Sequence, residues 1–263
     1  MITIQKYIRA QSLEEAYTLN QSRANRIVGG MLWLKMSRGS VQTAIDLCDL
    51  GLDTIEETDD SFRIGAMTTL RALEQHEALN TYCGGLLRRA VHDIVGVQFR
   101  NMATVGGSIW GRFGFSDVLT AFLAMDTFVE LYKGGFVPLE EFAAMKPDTD
   151  ILVRLIVKKT PGAFAYQTMR IQRTDFPVLA CAVSRLNGQY RAVVGARPAK
   201  AMIVRDEECL LGAGITEESA KAFAAFVQKK TPTAGNVRGS AEYRSRLVKV
   251  LTQRCVQELE GAQ

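Results

Sequence analysis

Gln98-Phe99-Arg100-Asn101-Met102-Ala103-Thr104-Val105-Gly106-Gly107-Ser108, followed shortly by Ser116-Asp117, is the stretch around which the chain is organised. Its Thr-x-Gly-Gly-Ser turn leaves bare backbone where a bulky anion can approach, because neither glycine carries a Cβ. Successive N–H groups in such a turn converge on one concavity and form an anion nest. An earlier diglycine, in Ile27-Val28-Gly29-Gly30, ends an apolar run near the N-terminus. Two such turns can grip one pyrophosphate from two sides.

Working outward, the chain of 263 residues is long enough for a full core and more than one domain. Hydrophobic residues make up 47% and charged residues 23%, an ordinary globular balance. The net charge of +4 is dispersed, with no basic run, which argues against a nucleic-acid partner. No apolar run reaches membrane-spanning length. Met1-Ile2-Thr3-Ile4-Gln5-Lys6-Tyr7 reads as a strand rather than a signal peptide, so a cytoplasmic location is expected. Cys48, Cys83, Cys181, Cys209 and Cys255 are scattered and odd in number, which speaks against a disulfide framework, a zinc site or a cluster held by this chain alone. With only His76 and His92, there is little material for a histidine metal site or a Ser–His triad.

Ser12 and Glu15 fit a capping box at the start of a helix. Arg26 to Val28 is a short strand entering the first diglycine, Met31 to Met36 continues as a packed helix, and Ala44 to Leu47 is another strand. This β-α-β pattern predicts a small parallel sheet. Phe62 to Ala66 reads as a strand, Thr68 or Thr69 caps the next helix, and Leu86, Leu87, Ala90, Val91, Ile94 and Val95 mark one helical face. Ser116 caps a further helix. Thr127 to Tyr132 turns back through Lys133-Gly134-Gly135. Lys146-Pro147-Asp148-Thr149-Asp150 is the candidate boundary region. Beyond it, Ile151 to Val157, Phe164 to Thr168, Val178 to Arg185 and Tyr190 to Gly195 are strand-like, with Asn187-Gly188 as a hairpin turn. Two helices follow, the second over about Ala241 to Leu259.

A dinucleotide suits two paired-glycine turns: its pyrophosphate takes backbone donors, and its ribose hydroxyls need an acceptor such as Asp117. The first turn is not a Rossmann fingerprint, since Gly-x-Gly-x-x-Gly is missing. A lone Gly-Gly is equally the mark of a tight turn, and Asp117 alone is equally a first-turn carboxylate favoured by a helix dipole. On residues alone the reading reaches a phosphate-binding α/β protein.

The long stretch resembles the Q-I-R-N-x-A-T-x-G-G-N signature of the FAD-binding subunits of the xanthine dehydrogenase and carbon monoxide dehydrogenase family, the molybdenum hydroxylases. Val28-Gly29-Gly30, Ile64-Gly65-Ala66-Met67-Thr68-Thr69, Ser116-Asp117 and Gly239-Ser240-Ala241-Glu242-Tyr243-Arg244-Ser245-Arg246-Leu247 match further family segments in the same order. The resemblance spans essentially the whole chain. It implies an α+β fold: a FAD-binding domain over 1–158, made of a small parallel α/β subdomain (about 1–55) and a mixed or antiparallel sheet with helices (56–158). A C-terminal three-stranded antiparallel sheet with helices over 159–263 is implied next.

The resemblance also implies a heterotrimer subunit and an oxidoreductase role. An iron–sulfur subunit with two [2Fe-2S] clusters and a molybdopterin subunit are the expected partners, and electrons would leave through FAD to NAD or another acceptor. Carried over by position, Ile27, Val28, Gly29, Gly30, Met31, Leu32, Trp33 and Leu34 form the first FAD loop. Thr104, Val105, Gly106, Gly107 and Ser108 form the second, with the Thr104 hydroxyl and backbone N–H groups on phosphate. Asp117 accepts from the adenosine side, and Val95 and Leu152 give apolar contacts to the cofactor or plain core packing.

Three departures stand out. Met31-Leu32 replaces a small polar pair, Thr168 stands where the family often has a lysine near the flavin ring, and Ser108 replaces asparagine. Arg170 is the candidate substitute for that lysine, or else a surface arginine. Competing with the redox subunit are a non-redox scaffold of the same fold that has lost FAD, and a free-standing flavoprotein.

Overall fold

A computed structural model describes residues 2–261. In chain order the strands are β1 (Ile2–Arg9), β2 (Arg26–Val28), β3 (Gly39–Asp46), β4 (Ile55–Glu57), β5 (Ser61–Gly65), β6 (Thr127–Leu131), β7 (Gly135–Pro138), β8 (Leu152–Lys158), β9 (Gly162–Arg170), β10 (Pro177–Leu186), β11 (Gln189–Gly195) and β12 (Met202–Arg205). The helices are α1 (Leu13–Asn20), α2 (Leu70–Gln75), α3 (Glu77–Tyr82), α4 (Leu86–His92), α5 (Val97–Arg100), α6 (Val105–Trp110), α7 (Asp117–Leu123), α8 (Leu139–Ala144), α9 (Glu217–Lys230) and α10 (Ala241–Glu260).

The chain divides into two compact units, and each is interleaved in sequence. The first comprises 1–73, 97–111 and 127–158, and the second 74–96, 112–126 and 159–263. The first unit holds a parallel sheet of order β1-β3-β2 and a sheet of order β4-β5-β8-β6-β7 whose pairings are all antiparallel. Its N-terminal core joins Ala16 of α1 and Ile45 of β3 to Leu52, Ile151 and Val153. Burying each large aliphatic side chain of this kind contributes about 1.5–3 kcal/mol. Ser12 caps α1 by accepting from Glu15 N, but the Glu15 carboxylate reaches back to Gln11 N rather than to Ser12, so the capping box is only half formed. Lys146–Asp150 is not a domain boundary. It is a loop within this unit, leading into the central strand β8.

The second unit is built on a four-stranded antiparallel sheet of order β12-β11-β10-β9, one strand more than the three expected. The extra strand is β12, whose Met202-Ile203-Val204-Arg205 pairs along β11. Asn187 and Gly188 both have positive φ (47° and 80°), the conformation of a two-residue hairpin turn whose twist suits the flanking strands. One face of the sheet, through Leu179, Cys181 and Val183, packs with Phe223 and Val227 of α9 and Val248, Leu251 and Cys255 of α10. On the other face, Ala180, Ala182 and Gly195 are small. They let α7, buried along its whole length, lie close. A Cβ at Gly195 would come within 2.1 Å of Thr120 Oγ1.

Two helical expectations change. Met31 to Met36 is not a packed helix but a loop closed by one 3-10 turn over Leu34–Met36, and Met36 is 70% exposed. The diglycine and a left-handed Met31 (φ 58°) interrupt the helix before it can nucleate. The amphipathic helix ends at His92, because Val95 takes φ 50° just beyond its C-cap, Asp93.

Candidate functional site

Both glycine loops lie in the first unit, and they meet. β2 ends at the carboxyl edge of the parallel sheet and feeds directly into Gly29-Gly30, the edge at which α/β sheets commonly bind ligands. A Cβ built on Gly29 would lie 2.7 Å from Thr104 Oγ1, and one on Gly30 would lie 1.7 Å from the Met102 carbonyl oxygen. The glycines are therefore required by close backbone approach. They are not ornaments of a turn.

The two loops differ in what they leave open. Thr104 caps α6, and its Oγ1 accepts from Gly107 N at 3.1 Å. Val105 N donates to Thr68 O, Gly106 N to Ala66 O, and Ser108 N to Thr104 O. Ser108 Oγ also donates to Thr104 O at 2.9 Å. The peptide donors of the second loop are thus spent inside the protein, and the Thr104 hydroxyl, an acceptor in its cap, keeps its own proton to give. In the first loop, the N–H groups of Gly29, Gly30, Met31 and Leu32 have no acceptor among the described residues. Met31 has φ 58° and Gly30 does not have positive φ; this alternation of hand turns successive N–H groups into one concavity. Four unpaired peptide donors at a half-buried loop fit a bound diphosphate, and the Met31-Leu32 side chains add no polar contact to them. Trp33, beyond them, is 41% exposed, and Leu34 opens the 3-10 turn.

Leu152 belongs to the same unit, buried at the start of β8 beside Leu131. Three other candidates lie in the second unit. Val95 is 49% exposed in its left-handed conformation, which is uncommon for a β-branched residue. Asp117 is buried in the first turn of α7. Its Oδ1 accepts from the Tyr166 hydroxyl at 2.5 Å, and its Oδ2 forms an ion pair with Arg170 Nη2 at 2.8 Å. Burial pushes the Asp117 carboxyl up from the ordinary range, against the opposing pull of Arg170 and Tyr166, and burial raises Tyr166 well above a normal phenol.

Arg170 is no surface arginine: its side chain is 6% exposed. One Nη donates to Asp175 O, while the buried Nε finds no acceptor among the described residues. A buried donor left open is uncommon and marks a strained or ligand-facing position. Thr168 donates instead to Leu179 O at 3.2 Å. Residues that the sequence did not single out complete this cluster. Tyr166 holds Asp117, and Asp175 is bound by Arg238 at 3.1 Å. Arg238 in turn stacks over Phe176 at 4.7 Å. The available signal was the short stretch itself, in which Tyr166, Arg170 and Asp175 lie close together in sequence. Among the described residues there is no group of ligands fit for a metal ion, and no helix is long and apolar enough to cross a membrane.

Comparison with known proteins gives two family matches along the chain. Residues 2–159 match the FAD binding domain in molybdopterin dehydrogenase, and residues 164–259 match the CO dehydrogenase flavoprotein C-terminal domain. The chain is 27% identical to protein YgfM of Escherichia coli (strain K12), covering 94% of this chain and 93% of that one. It is 26% identical to the nicotine 6-hydroxylase medium subunit of Paenarthrobacter nicotinovorans, covering 96% of each. It is also 26% identical to the xanthine dehydrogenase FAD-binding subunit of Escherichia coli O157:H7, over 100% of this chain and 98% of that one. Among solved structures, the fold matches a chain of CO dehydrogenase from Oligotropha carboxidovorans with TM-score 0.87 at 22% identity, covering 98% of both.

Proposed function

The chain belongs to the FAD-binding subunits of the molybdopterin dehydrogenase family, and we propose that it works as the electron-exit subunit of a multi-subunit molybdenum hydroxylase. In this reading it stands beside an iron–sulfur subunit carrying two [2Fe-2S] clusters and a molybdopterin subunit, and NAD or another acceptor takes the electrons. The observation that carries the reading is the row of unpaired N–H groups at Gly29, Gly30, Met31 and Leu32, packed against Thr104.

FAD, when bound, supplies the redox chemistry, and the chain supplies binding and orientation. The four peptide donors would hold the diphosphate without any lysine. Gly29 and Gly30 keep the first loop against Thr104 and the Met102 carbonyl, so those donors are positioned before a ligand arrives. The Thr104 hydroxyl adds one side-chain donor from the second loop. Asp117 and Tyr166 fix Arg170, whose guanidinium is the positive group nearest in sequence to Thr168. The substrate of the whole enzyme is chosen outside this chain.

Affinity purification of the chain from its native cells tests the assignment. Co-purified iron, acid-labile sulfide and molybdenum are expected, together with flavin that NADH bleaches. A flavin-containing chain that brings down none of these elements would instead favour the free-standing flavoprotein. A flavin-free chain that brings down an iron–sulfur protein would favour the scaffold.

A further inference from the structure

In the second unit, the loop between β9 and β10 is tied to the end of α4 through an imidazole. His92 Nδ1 lies 2.9 Å from Glu74 Oε1, and Glu74 is a buried carboxylate with a side chain 5% exposed. On the other edge of the ring, His92 Nε2 lies 2.9 Å from Arg173 Nη2. Arg173 Nε donates to Asp93 Oδ1, also at 2.9 Å. A guanidinium can only donate, so Nε2 must be the acceptor and the ring proton must reside on Nδ1, facing Glu74. The contact with Arg173 therefore exists only for the neutral imidazole.

We propose that His92 is a proton-operated latch for the segment 171–174. Protonation puts an N–H on Nε2, removes the bond from Arg173 and sets two cations against each other. It does not cost the imidazole its other partner, since Glu74 holds the protonated ring more strongly. Asp93 alone then retains Arg173, whose side chain is 73% exposed and free to swing into water. Because only the open form keeps a charged imidazole without an adjoining guanidinium, proton uptake favours opening, and opening favours proton uptake by the same factor.

Among the described residues, the charged groups around the ring include Glu74 at the end of α2, Arg173 on the loop, and Asp93 and Arg88 on its own segment. Arg88 binds the Glu74 backbone carbonyl rather than the ring. The far end of the loop stays fixed, because Arg170 and Arg238 both hold Asp175. Opening is thereby confined to the residues between Arg170 and Asp175, where Ile171 is already 65% exposed. The latch does not depend on the FAD assignment. If that assignment also holds, the mobile segment is the one that follows directly on Thr168 and Arg170.

Hydrogen exchange of the full-length chain, corrected for intrinsic rates and compared at about pH 8 and about pH 5.5, tests this. Exchange of the Asp175 amide, which donates to Gln172 O across this segment at 3.1 Å, is expected to rise by roughly threefold or more at the acidic end, while the 186–190 hairpin serves as the reference. His92→Gln keeps an acceptor for Arg173 at every pH and should abolish the dependence. Arg173→Gln should leave the loop fast at both ends. His76→Gln, at the other histidine, should behave as wild type. Equal protection at both pH values in wild type, or an unchanged dependence in His92→Gln, would overturn the proposal. If His92→Gln does not fold, imidazole nitrogen shifts of the wild-type protein decide: a neutral ring protonated on Nε2 contradicts the latch.

Discussion

Gly30 lies so tightly beneath the Met102 carbonyl that a methyl group at Gly30 would overlap its oxygen, at 1.7 Å. The contact joins the two loops that the sequence places far apart. It is backbone against backbone, so no side-chain rotation can relieve it. Gly30→Ala should cost about 1–3 kcal/mol by overpacking and should lower the flavin-to-protein ratio of the purified chain. Gly51→Ala is the control. Gly51 has φ 64° and open space around it, so that change should cost only the roughly 1–2 kcal/mol of left-handed strain and leave flavin content unaltered. Thermal unfolding and the visible spectrum of both variants check the pair.

The Asp117–Arg170 pair gives a different expectation. Both side chains are nearly inaccessible, so removing one partner strands a buried charge. Arg170→Met should destabilise the fold by about 3–5 kcal/mol. Adding Asp117→Asn to Arg170→Met should recover part of the loss, since the stranded charge is then gone. A double-mutant cycle in urea that shows no coupling would contradict the pair's role.

Arg244 is almost fully buried, and its guanidinium donates to Val178 O, Ala234 O, Gly239 O and Asn236 Oδ1. It staples the 234–239 segment to β10 from the first turns of α10. Arg244→Met leaves these acceptors unpaired, and each orphan costs about 1–3 kcal/mol. Arg244→Lys should rescue little, because an ammonium cannot reproduce the planar fork. Chemical denaturation read by circular dichroism measures both.

At high pH, Tyr82 should contribute, together with the buried Tyr166, to a loss of stability. Burial, helped by the Asp126 charge, pushes its phenol up to about 12, and its hydroxyl donates to Thr160 O at 3.0 Å. A pKa raised on folding means that the folded state holds the proton more tightly than the unfolded chain. The stabilisation is therefore complete below the unfolded value of about 10 and is lost as pH rises through about 12. Tyr82→Phe should make this alkaline limb of the melting temperature shallower, leaving the part that Tyr166 contributes.

Much of this was legible in the residues, because local rules and tertiary demands agree there. Asn187-Gly188 takes the left-handed pair that a hairpin requires, and Ser116 caps α7 through Leu119 N. The Ser-Ala-x-Tyr-Arg segment carried the resemblance, and Ser240 as N-cap and Arg244 as staple explain its composition. Elsewhere the deciding partner lies far off in sequence. The N–H groups of Val105 and Gly106 look open in a glycine-rich turn, yet Thr68 and Ala66 supply their acceptors. The apolar run Met31 to Met36 resembles a helix until the left-handed Met31 is seen. β12 is invisible in the sequence because four residues between loops give too short a signal. Arg170 read as exposed because nothing in its neighbourhood announces Asp117.

The central claim is that the Gly29–Leu32 donors, backed by Thr104, hold FAD. The most direct measurement is the visible absorption spectrum of the purified chain, followed by denaturation and identification of the released cofactor. The account predicts flavin bands, FAD on release, and marked loss of both in Gly30→Ala. A colourless chain that also fails to take up added FAD would contradict it.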